Sequence, residues 1–388
     1  MENIELTVLL KSMAQNSGGI REVVKDLYKY ISSDIVKNMK VLSLKYDEYS
    51  VLESKEWEPV CSKVYDRIMC SYSRDLRDDL FKSNTNILHL HGLFGYPHFL
   101  ANQWKRKNPD SKLVISPHGM LDEYAVGQRS KLKNSIGDLL FVNTSFSIAS
   151  CFVALNESEY NSIRNYGAKL PIAIINNGVT IPDIEIVRDL NKKCKRLLFL
   201  SRLHPKKGLD ILIDAFCELK VTDPEFGNWV LDIVGWDDNS YANEMKKRVV
   251  KYGLSDKIFF HGGLWGDDKK EVFKQADAFI LPSHSEGLPM SVLEAWSYSL
   301  PVIMTEACNI PNGFSKNAAI KITPTKQSVM RGLIDLFEMP NENLIKMGCN
   351  GYKLVQSTFS WKLIASQMEQ LYNWTLDKCE RPGFVYLD

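Results

Sequence analysis

The chain has 388 residues, enough for about two or three domains of ordinary size. Its composition, 45% hydrophobic and 24% charged, is that of a globular protein and excludes a fibrous or wholly disordered chain. The 48 basic and 47 acidic residues leave a net charge of +1, which provides no general field for nucleic acid, so no nucleic-acid partner is expected.

The first half of the chain alternates short apolar runs with helical patterns. Strands are predicted at "IELTVLL", "MKVLSL", "NILHLH", "KLVIS", "CFVAL" and "IAII". After the first of these, "GIREVVKDLYKYI" places its apolar residues on one face and predicts a helix. Strands without polar alternation, spaced by helices, indicate a parallel sheet covered on both faces.

The pattern is interrupted at "NNGVTIPD", residues 176–183, and then restarts. The second set of predicted strands is "RLLFL", "WVLDIV", "KIFF", "AFILP", "PVIMT" and "AIKI". We therefore predict two successive βα domains, residues 1–183 and residues 184–359. An amphipathic helix in about residues 360–388 follows them and could pack on either domain.

Cysteine usage and the amino terminus bear on localisation. The eight cysteines are scattered, with no C-x-x-C pair, as is typical of reduced thiols in a cytosolic protein. The amino terminus lacks the basic region of a signal peptide, and no apolar run reaches the ~18 residues of a membrane span. We expect a cytoplasmic protein whose membrane contact, if any, is peripheral.

The stretch "SHSEGLPMSVLEAWSY" follows the predicted strand "AFILP" and contains Glu286 before a predicted helix and Glu294 within it. In an open parallel sheet ligands bind where strands end, and Pro289 suits the first helical position. The amides that would face a phosphate or a polyhydroxylated ligand are those of Gly287, Leu288 and Met290. For either glutamate taken alone, an ordinary cap-region or solvated helix acid is the simpler explanation.

A basic loop, "SRLHPKKG", follows the predicted strand "RLLFL" and places Arg202, Lys206 and Lys207 before a helix. Two or three cations beside a helix start can hold a diphosphate without a metal. Basic loops of this kind are common on surfaces. The glutamate stretch in the same predicted sheet is what favours a binding site.

Together these motifs resemble the retaining glycosyltransferases of family 4, from about "SGGI" to the last helix. The family's pair of glutamates with seven residues between them appears as Glu286 and Glu294, and its phosphate-binding residues appear as Arg202 and Lys207. The resemblance implies the GT-B fold, in which two Rossmann-like α/β domains face an interdomain cleft. It also implies that the first domain binds the acceptor, that the second binds a nucleotide sugar, and that the final helix packs back on the first.

The resemblance further implies roles for individual residues of the second domain. Glu294 would bind the ribose, Glu286 and the amides after it the donor sugar, and Arg202 with Lys207 the diphosphate. The loop "FFHGGLWGDDK" matches the segment that lines the nucleobase. The contacts implied there are Gly262, Gly263 and Leu264.

The first domain offers matching pieces. Gly18 and Gly19 in "NSGGI" would let the backbone approach the donor phosphate closely. His118, in "VISPHGMLD", matches a histidine near the donor sugar and the reaction centre, so the catalytic set is His118 with Arg202, Lys207 and Glu286. For His91 and Asp122, an acceptor-binding role and a purely structural role are equally open.

The predicted activity is transfer of a sugar with retention, from a UDP-sugar in preference to a GDP-sugar. The expected acceptor is a saccharide or a polyprenyl-diphosphate-linked saccharide of bacterial O-antigen, capsule or exopolysaccharide. No D-x-D is present, so neither a metal nor another cofactor is expected, and "GWDDN" and "GDDKK" are interpreted as acidic turns. The alternatives are a GT-B nucleotide-sugar epimerase, a sugar phosphorylase, or a non-catalytic sugar-binding protein.

Two basic stretches, residues 103–112 and residues 128–141, mix cations with apolar side chains such as Trp104. Such patches can rest on anionic lipid, which would be the inner membrane here. A solvated basic helix with an apolar core face explains them equally well.

Overall fold

The computed structural model describes residues 4–13, 19–45, 60–64, 71–121, 143–183, 192–222, 228–237 and 240–387. The chain forms two compact units. The first unit comprises Met1–Gly178 together with Trp361–Asp388, and the second comprises Val179–Ser360. The first unit thus ends a few residues before the predicted boundary at 183, and the C-terminal helix belongs to it.

The strands, in chain order, are β1 Ile4–Ser12, β2 Val36–Lys45, β3 Val60–Lys63, β4 Ile87–His91, β5 Lys112–Ser116, β6 Cys151–Ala154, β7 Ile172–Ile174, β8 Lys195–Leu200, β9 Trp229–Val234, β10 Ile258–Gly262, β11 Ala278–Leu281, β12 Val302–Thr305, β13 Ala319–Ile322 and β14 Val385–Tyr386. The helices are α1 Gly19–Tyr30, α2 Arg74–Phe81, α3 Tyr96–Lys107, α4 Glu157–Asn165, α5 Leu209–Thr222, α6 Tyr241–Lys251, α7 Gly266–Gln275, α8 Met290–Ser297, α9 Pro311–Ser315, α10 Lys326–Phe337, α11 Asn341–Thr358 and α12 Trp361–Thr375. Residues 143–148 are also helical.

The sheet of the first unit has the order β14-β7-β6-β5-β4-β1-β2-β3. Its neighbours are parallel except β14, which runs antiparallel to β7. Strands β2 and β3 lie on one side of β1, and the chain then returns to the other side of β1 with β4. In the pairing of β1 with β4, Leu10 lies beside His91. The ends of β1 and β4 therefore form the point where the strand order reverses, the usual ligand position in such sheets.

The sheet of the second unit has the order β10-β9-β8-β11-β12-β13, and every pairing is parallel. Here the order reverses between β8 and β11, which pair through Leu197 and Ala278. Every residue of β9, β11 and β12 is buried, as expected for strands covered on both faces. The loops after β8 and β11, which carry the basic and glutamate motifs, therefore leave the sheet side by side.

Several local predictions need correction. Pro289 precedes the first residue of α8 as its N-cap, and so does not occupy the first helical position. The "GDDKK" stretch forms the first half of α7, because its acidic residues suit the positive end of a helix. The strands β3 and β14 were not predicted. Trp104 lies in the core of the first unit, so this aromatic side chain is unavailable to a membrane.

No helix within the described ranges is long and apolar enough to cross a membrane. The second basic stretch, residues 128–141, lies outside the described residues.

Candidate functional site

The loop after β8 reverses the chain in very little space. A short 3-10 turn, Pro205–Lys207, leads to Gly208, whose φ of +68° is left-handed. A Cβ at this position would lie 2.2 Å from the carbonyl oxygen of Pro282, so only glycine fits between the two loops. The loop therefore presents Lys207 at a fixed point beside the end of β11.

Hydrogen bonds tie this loop to the loop after β11. The backbone N–H of His284 donates to the carbonyl oxygen of Lys206 at 2.8 Å, and the Ser283 Oγ atom lies 3.1 Å from the same oxygen. The two motifs, about eighty residues apart in sequence, thus form one structural element at the reversal point of the sheet.

Lys207 and Glu286 form the centre of this element. The Lys207 Nζ atom lies 2.6 Å and 2.7 Å from the two carboxylate oxygens of Glu286. The Ser283 hydroxyl donates to Glu286 Oε1 at 2.8 Å, and Glu286 is 7% exposed. A charge this well buried is stable only with such partners.

The backbone of Glu286 is fixed as firmly as its side chain. Its N–H donates to the carbonyl oxygen of Ala307 at 2.9 Å, and its carbonyl oxygen accepts from Asn309 Nδ2 at 2.6 Å. The structure therefore places Glu286 in a rigid loop just before α8. A rigidly held carboxylate paired with an ammonium is suited to hold hydroxyls or to share its cation with a phosphate.

Glu294 lies within α8, as predicted, and pairs with a residue that sequence reasoning missed. Lys269, in the first half of α7, donates to Glu294 Oε1 at 2.6 Å. The two side chains are 27% and 24% exposed, so Glu294 is neither fully solvated nor isolated. Its carboxylate keeps acceptor capacity for a pair of vicinal hydroxyls.

Arg202 is exposed and its guanidinium lies over the ring of Trp236, with 5.7 Å between Cζ and the ring centroid. The carbonyl oxygen of Trp236 accepts from the N–H of Leu203 at 2.9 Å, so the two loops are also joined through their backbones. No motif in the sequence indicated a role for Trp236. Its ring limits the directions that the long Arg202 side chain can take.

The segment implied to line a nucleobase runs from β10 into α7, and β10 ends at the same edge of the sheet. Gly262 has a φ of +73°, and its carbonyl oxygen accepts from the N–H of Gly235 at 2.8 Å. A Cβ at Gly263 would lie 2.5 Å from the ring of Trp265. Small residues are therefore required here, and Leu264 leads from them into α7.

In the first unit, His118 lies in the turn after β5 with a φ of +55°. The carboxylate of Glu159 braces this turn, accepting from the N–H of Gly119 at 2.5 Å and from that of Leu155 at 2.8 Å. His118 Nε2 lies 2.8 Å from His91 Nδ1. Burial lowers the pKa of His118 to about 4, so its ring is neutral at pH 7.

His91 has both ring nitrogens engaged inside the protein. Its Nδ1 faces His118, and its Nε2 lies 2.7 Å from the hydroxyl of Tyr28. Because the side chain is 3% exposed, an acceptor could reach a ring nitrogen of His91 only by breaking one of these bonds. The geometry favours a supporting role for His91 behind His118.

Gly19 is the first residue of α1, and among the described residues a Cβ at this position would meet nothing within 4 Å. That space is compatible with close approach of a ligand to the backbone. Gly18 and Asp122 lie outside the described residues.

Comparison with known proteins connects this geometry to an enzyme family. Residues 18–181 match the family described as Glycosyltransferase Family 4, and residues 181–354 match the family described as Glycosyl transferases group 1. The two matches are consecutive and meet at residue 181, close to where the second unit begins.

Two curated relatives match less than half of their own length. The mannosylfructose-phosphate synthase of Agrobacterium fabrum is 28% identical over 45% of this chain and 39% of that enzyme. The lipopolysaccharide core biosynthesis mannosyltransferase LpsB of Rhizobium meliloti is 24% identical over 44% of this chain and 49% of its own length.

The likeness to solved structures extends over nearly the whole chain. HepE of Anabaena, solved in complex with UDP and glucose, superposes with a TM-score of 0.76 and 16% identity over 95% of this chain and 99% of that one. At this identity the likeness concerns the fold. It confirms the predicted GT-B fold class of two Rossmann-like α/β domains.

Proposed function

Because the chain belongs to the group 1, family 4 glycosyltransferases, we propose that it transfers a sugar from a nucleotide-sugar donor to a saccharide acceptor with retention of configuration. The observation that carries the proposal is the joined pair of loops after β8 and β11. They bring Lys207, Glu286 and the start of α8 to the reversal point of a parallel sheet, with Arg202 on the same loop.

Different residues of the second unit bind different parts of the nucleotide-sugar donor. Glu294, held beside Lys269, binds the ribose hydroxyls, and Gly262, Gly263 and Leu264 border the base. Lys207 and Arg202 neutralise the diphosphate, while the backbone at the start of α8 adds N–H donors at a positive helix end. Glu286 fixes Lys207 and offers its remaining acceptor capacity to the sugar hydroxyls.

In the proposed reaction the bond between the anomeric carbon and the donor phosphate oxygen breaks first. The departing phosphate oxygen then takes the proton of the acceptor hydroxyl, and the acceptor oxygen bonds to the anomeric carbon on the same face. Lys207 and Arg202 stabilise the charge on the leaving diphosphate, so the described residues supply the positive charge that the step requires. We propose that neither a metal nor another cofactor is needed.

UDP-sugars are the first donors to test, since HepE of the same fold was solved with UDP and glucose. A polysaccharide precursor, carried on a polyprenyl diphosphate, is the proposed acceptor, and the mannosyltransferase LpsB acts in lipopolysaccharide core biosynthesis. Under this proposal the protein works in the cytoplasm, in peripheral contact with the inner membrane. Binding to anionic liposomes, lost on charge reversal at Lys131 and Lys133, supports that contact, and no binding by the intact protein contradicts it.

The decisive experiment measures nucleotide release from a panel of UDP- and GDP-sugars, with and without saccharide acceptors. We expect one donor to release its nucleotide, with turnover unchanged by a chelator. The Lys207→Met substitution should lower kcat on the order of a hundredfold or more, as loss of a charge-stabilising group does. Lys247→Ala, an exposed residue of α6, is the matched control and should keep normal turnover.

The anomeric configuration of the product, read by NMR, tests retention separately. Inversion contradicts the same-face mechanism even if transfer occurs. Release of a sugar phosphate indicates a phosphorylase, and interconversion of sugars without transfer indicates an epimerase. Absence of nucleotide release with every donor and acceptor contradicts the proposed function.

A further inference from the structure

A chain of hydrogen-bonded side chains crosses the interior of the first unit and ends at His118. Its members, in order of contact, are Ser116, His89, Tyr28 together with Tyr372, His91 and His118. They come from β5, β4, α1, α12 and the turn after β5. All except His118 are buried, so their polar atoms depend on one another for hydrogen bonds.

His89 is the branching point of the chain. Its Nε2 lies 2.8 Å from the Ser116 hydroxyl, and its Nδ1 lies 2.8 Å from the Tyr28 hydroxyl and 2.7 Å from that of Tyr372. The two tyrosine hydroxyls are 3.2 Å apart. One ring nitrogen thus sits almost evenly between two oxygens, an arrangement suited to a single shared N–H.

The chain then runs unbranched to its end. The Tyr28 hydroxyl lies 2.7 Å from His91 Nε2, and His91 Nδ1 lies 2.8 Å from His118 Nε2. Burial lowers the pKa of His89 to about 3 and that of His91 well below 6.5, and it raises the pKa of Tyr28. At neutral pH each ring therefore holds one proton, and each imidazole has one donor and one acceptor nitrogen.

One direction of donation gives every contact in the chain a proton. Ser116 donates to His89 Nε2, and His89 Nδ1–H donates to both tyrosine oxygens. Tyr372 donates to Tyr28, and Tyr28 donates to His91 Nε2. His91 Nδ1–H then donates to His118 Nε2, which leaves the proton of His118 on Nδ1. Every hydroxyl and every imidazole N–H of the interior chain has an acceptor in this assignment.

The reverse direction of donation leaves a buried donor without an acceptor. If His118 donates to His91, then His91 donates to the Tyr28 oxygen, and Tyr28 must donate to Tyr372 or to His89. Among the described partners, this leaves the Tyr372 hydroxyl proton without an acceptor, or it moves the His89 proton to Nε2 and leaves the Ser116 hydroxyl proton without one. An unmatched polar group in the interior is costly, so the first direction is favoured.

We propose that Tyr28 and His91 are positioning residues that hold His118 in the tautomer with its proton on Nδ1. The inference rests on the proposed function and on the place near the donor sugar that the family resemblance implies for His118. His118 then offers Nδ1–H to an acceptor oxygen of that donor, a hydroxyl or a phosphate oxygen. Its Nε2 is occupied by His91, so His118 binds and orients the substrate and does not act as a general base.

The test is nitrogen NMR of protein labelled in its histidine rings, at neutral pH and without added nucleotide sugar. The His118 signals are identified by their loss in His118→Asn. We expect Nε2 of His118 to resonate as an unprotonated, accepting nitrogen and Nδ1 as a protonated one. A wild-type spectrum with the proton on Nε2 overturns the inference.

Two matched variants test the role of Tyr28. Tyr28→Phe and Tyr372→Phe each remove one buried hydroxyl, but only the first removes the donor to His91. We expect the Nε2–H form of His118 to appear in Tyr28→Phe and to stay absent in Tyr372→Phe. An unchanged tautomer in Tyr28→Phe overturns the positioning role, and the wild-type spectrum decides the tautomer even if that variant does not fold.

Kinetics separate this inference from the proposed function. With an active donor, kcat/KM should fall on the order of tenfold in Tyr28→Phe and stay within about twofold in Tyr372→Phe. Equal losses in the two variants contradict the inference. Because the spectra are recorded without substrate, failure to find any active donor would refute the proposed function while leaving the tautomer result readable.

Discussion

The ion pair between Lys207 and Glu286 joins the two loops of the candidate site, and its loss should affect stability as well as activity. The side chains are 18% and 8% exposed. Removal of one partner of a buried ion pair lowers the free energy of unfolding by ~3–5 kcal/mol, because the other charge is left without its partner. Ser283 still donates to Glu286, and Lys207 retains some solvent contact, so we expect about 2–3 kcal/mol for either Lys207→Met or Glu286→Gln.

The double variant separates pairing from simple loss of side chains. With both charges removed, no charge is left without its partner, so the combined cost should fall short of the sum of the single costs by about 2 kcal/mol. For a unit of this size each single variant should melt about 5–10 °C lower. The assay is denaturant unfolding of the four proteins, followed by thermal melting.

Lys321→Met provides the control, because Lys321 and Glu306 form an ion pair with side chains that are 53% and 67% exposed. Loss of such a surface pair should leave the melting temperature nearly unchanged. Single-variant costs that simply add in the double variant would refute the reasoning, since Lys207 and Glu286 would then act independently.

Three further predictions concern the surroundings of these groups. Trp236→Leu frees the Arg202 guanidinium and should lower kcat/KM for the donor about two- to fivefold in steady-state kinetics, with an unchanged value as the contrary result. Gly208→Ala should lower the melting temperature by several degrees, because its Cβ would lie 2.2 Å from the Pro282 oxygen; a stable variant would show that the two loops can separate. The pKa of His89 is about 3 in the folded protein and 6.5 in the unfolded chain, so the unfolded chain binds more protons between these pH values. The free energy of unfolding should therefore fall as the pH drops from 6.5 to 5. Constant stability to denaturant over this pH range would contradict the prediction.

The apolar runs allowed most strands to be predicted because parallel strands covered on both faces carry an unbroken hydrophobic pattern. The exceptions, β3 and β14, lack such a run, because β3 is "VCSK" and β14 has only two residues. The pairing of β14 also depends on a neighbour distant in the chain, since it joins β7 after more than 200 residues.

The motif residues of the second unit could be identified from sequence, but their partners could not. Nothing in the chain indicates that Glu294 pairs with Lys269 or that Arg202 lies over Trp236, because each pair forms only when separate loops meet at one edge of the sheet.

The interior histidines did leave a signal. In "ILHLH" two polar residues, His89 and His91, occur within a strand that is otherwise apolar. Buried polar groups require hydrogen-bond partners, so two histidines in a buried strand imply a polar network inside the first unit, which was not predicted. The identity of those partners could not be predicted, since Tyr28 and Tyr372 lie far from His89 in the chain.

Calorimetric titration with UDP and with GDP tests the central claim, a nucleotide-sugar site in the second unit, most directly. The wild type should bind one of these nucleotides, and Glu294→Ala should weaken that binding on the order of tenfold through loss of the ribose contact. Glu271→Ala, on the same helix as Lys269 but with an exposed carboxylate, should bind as the wild type does. Failure of the wild type to bind either nucleotide, or equal affinity in Glu294→Ala, would contradict the account.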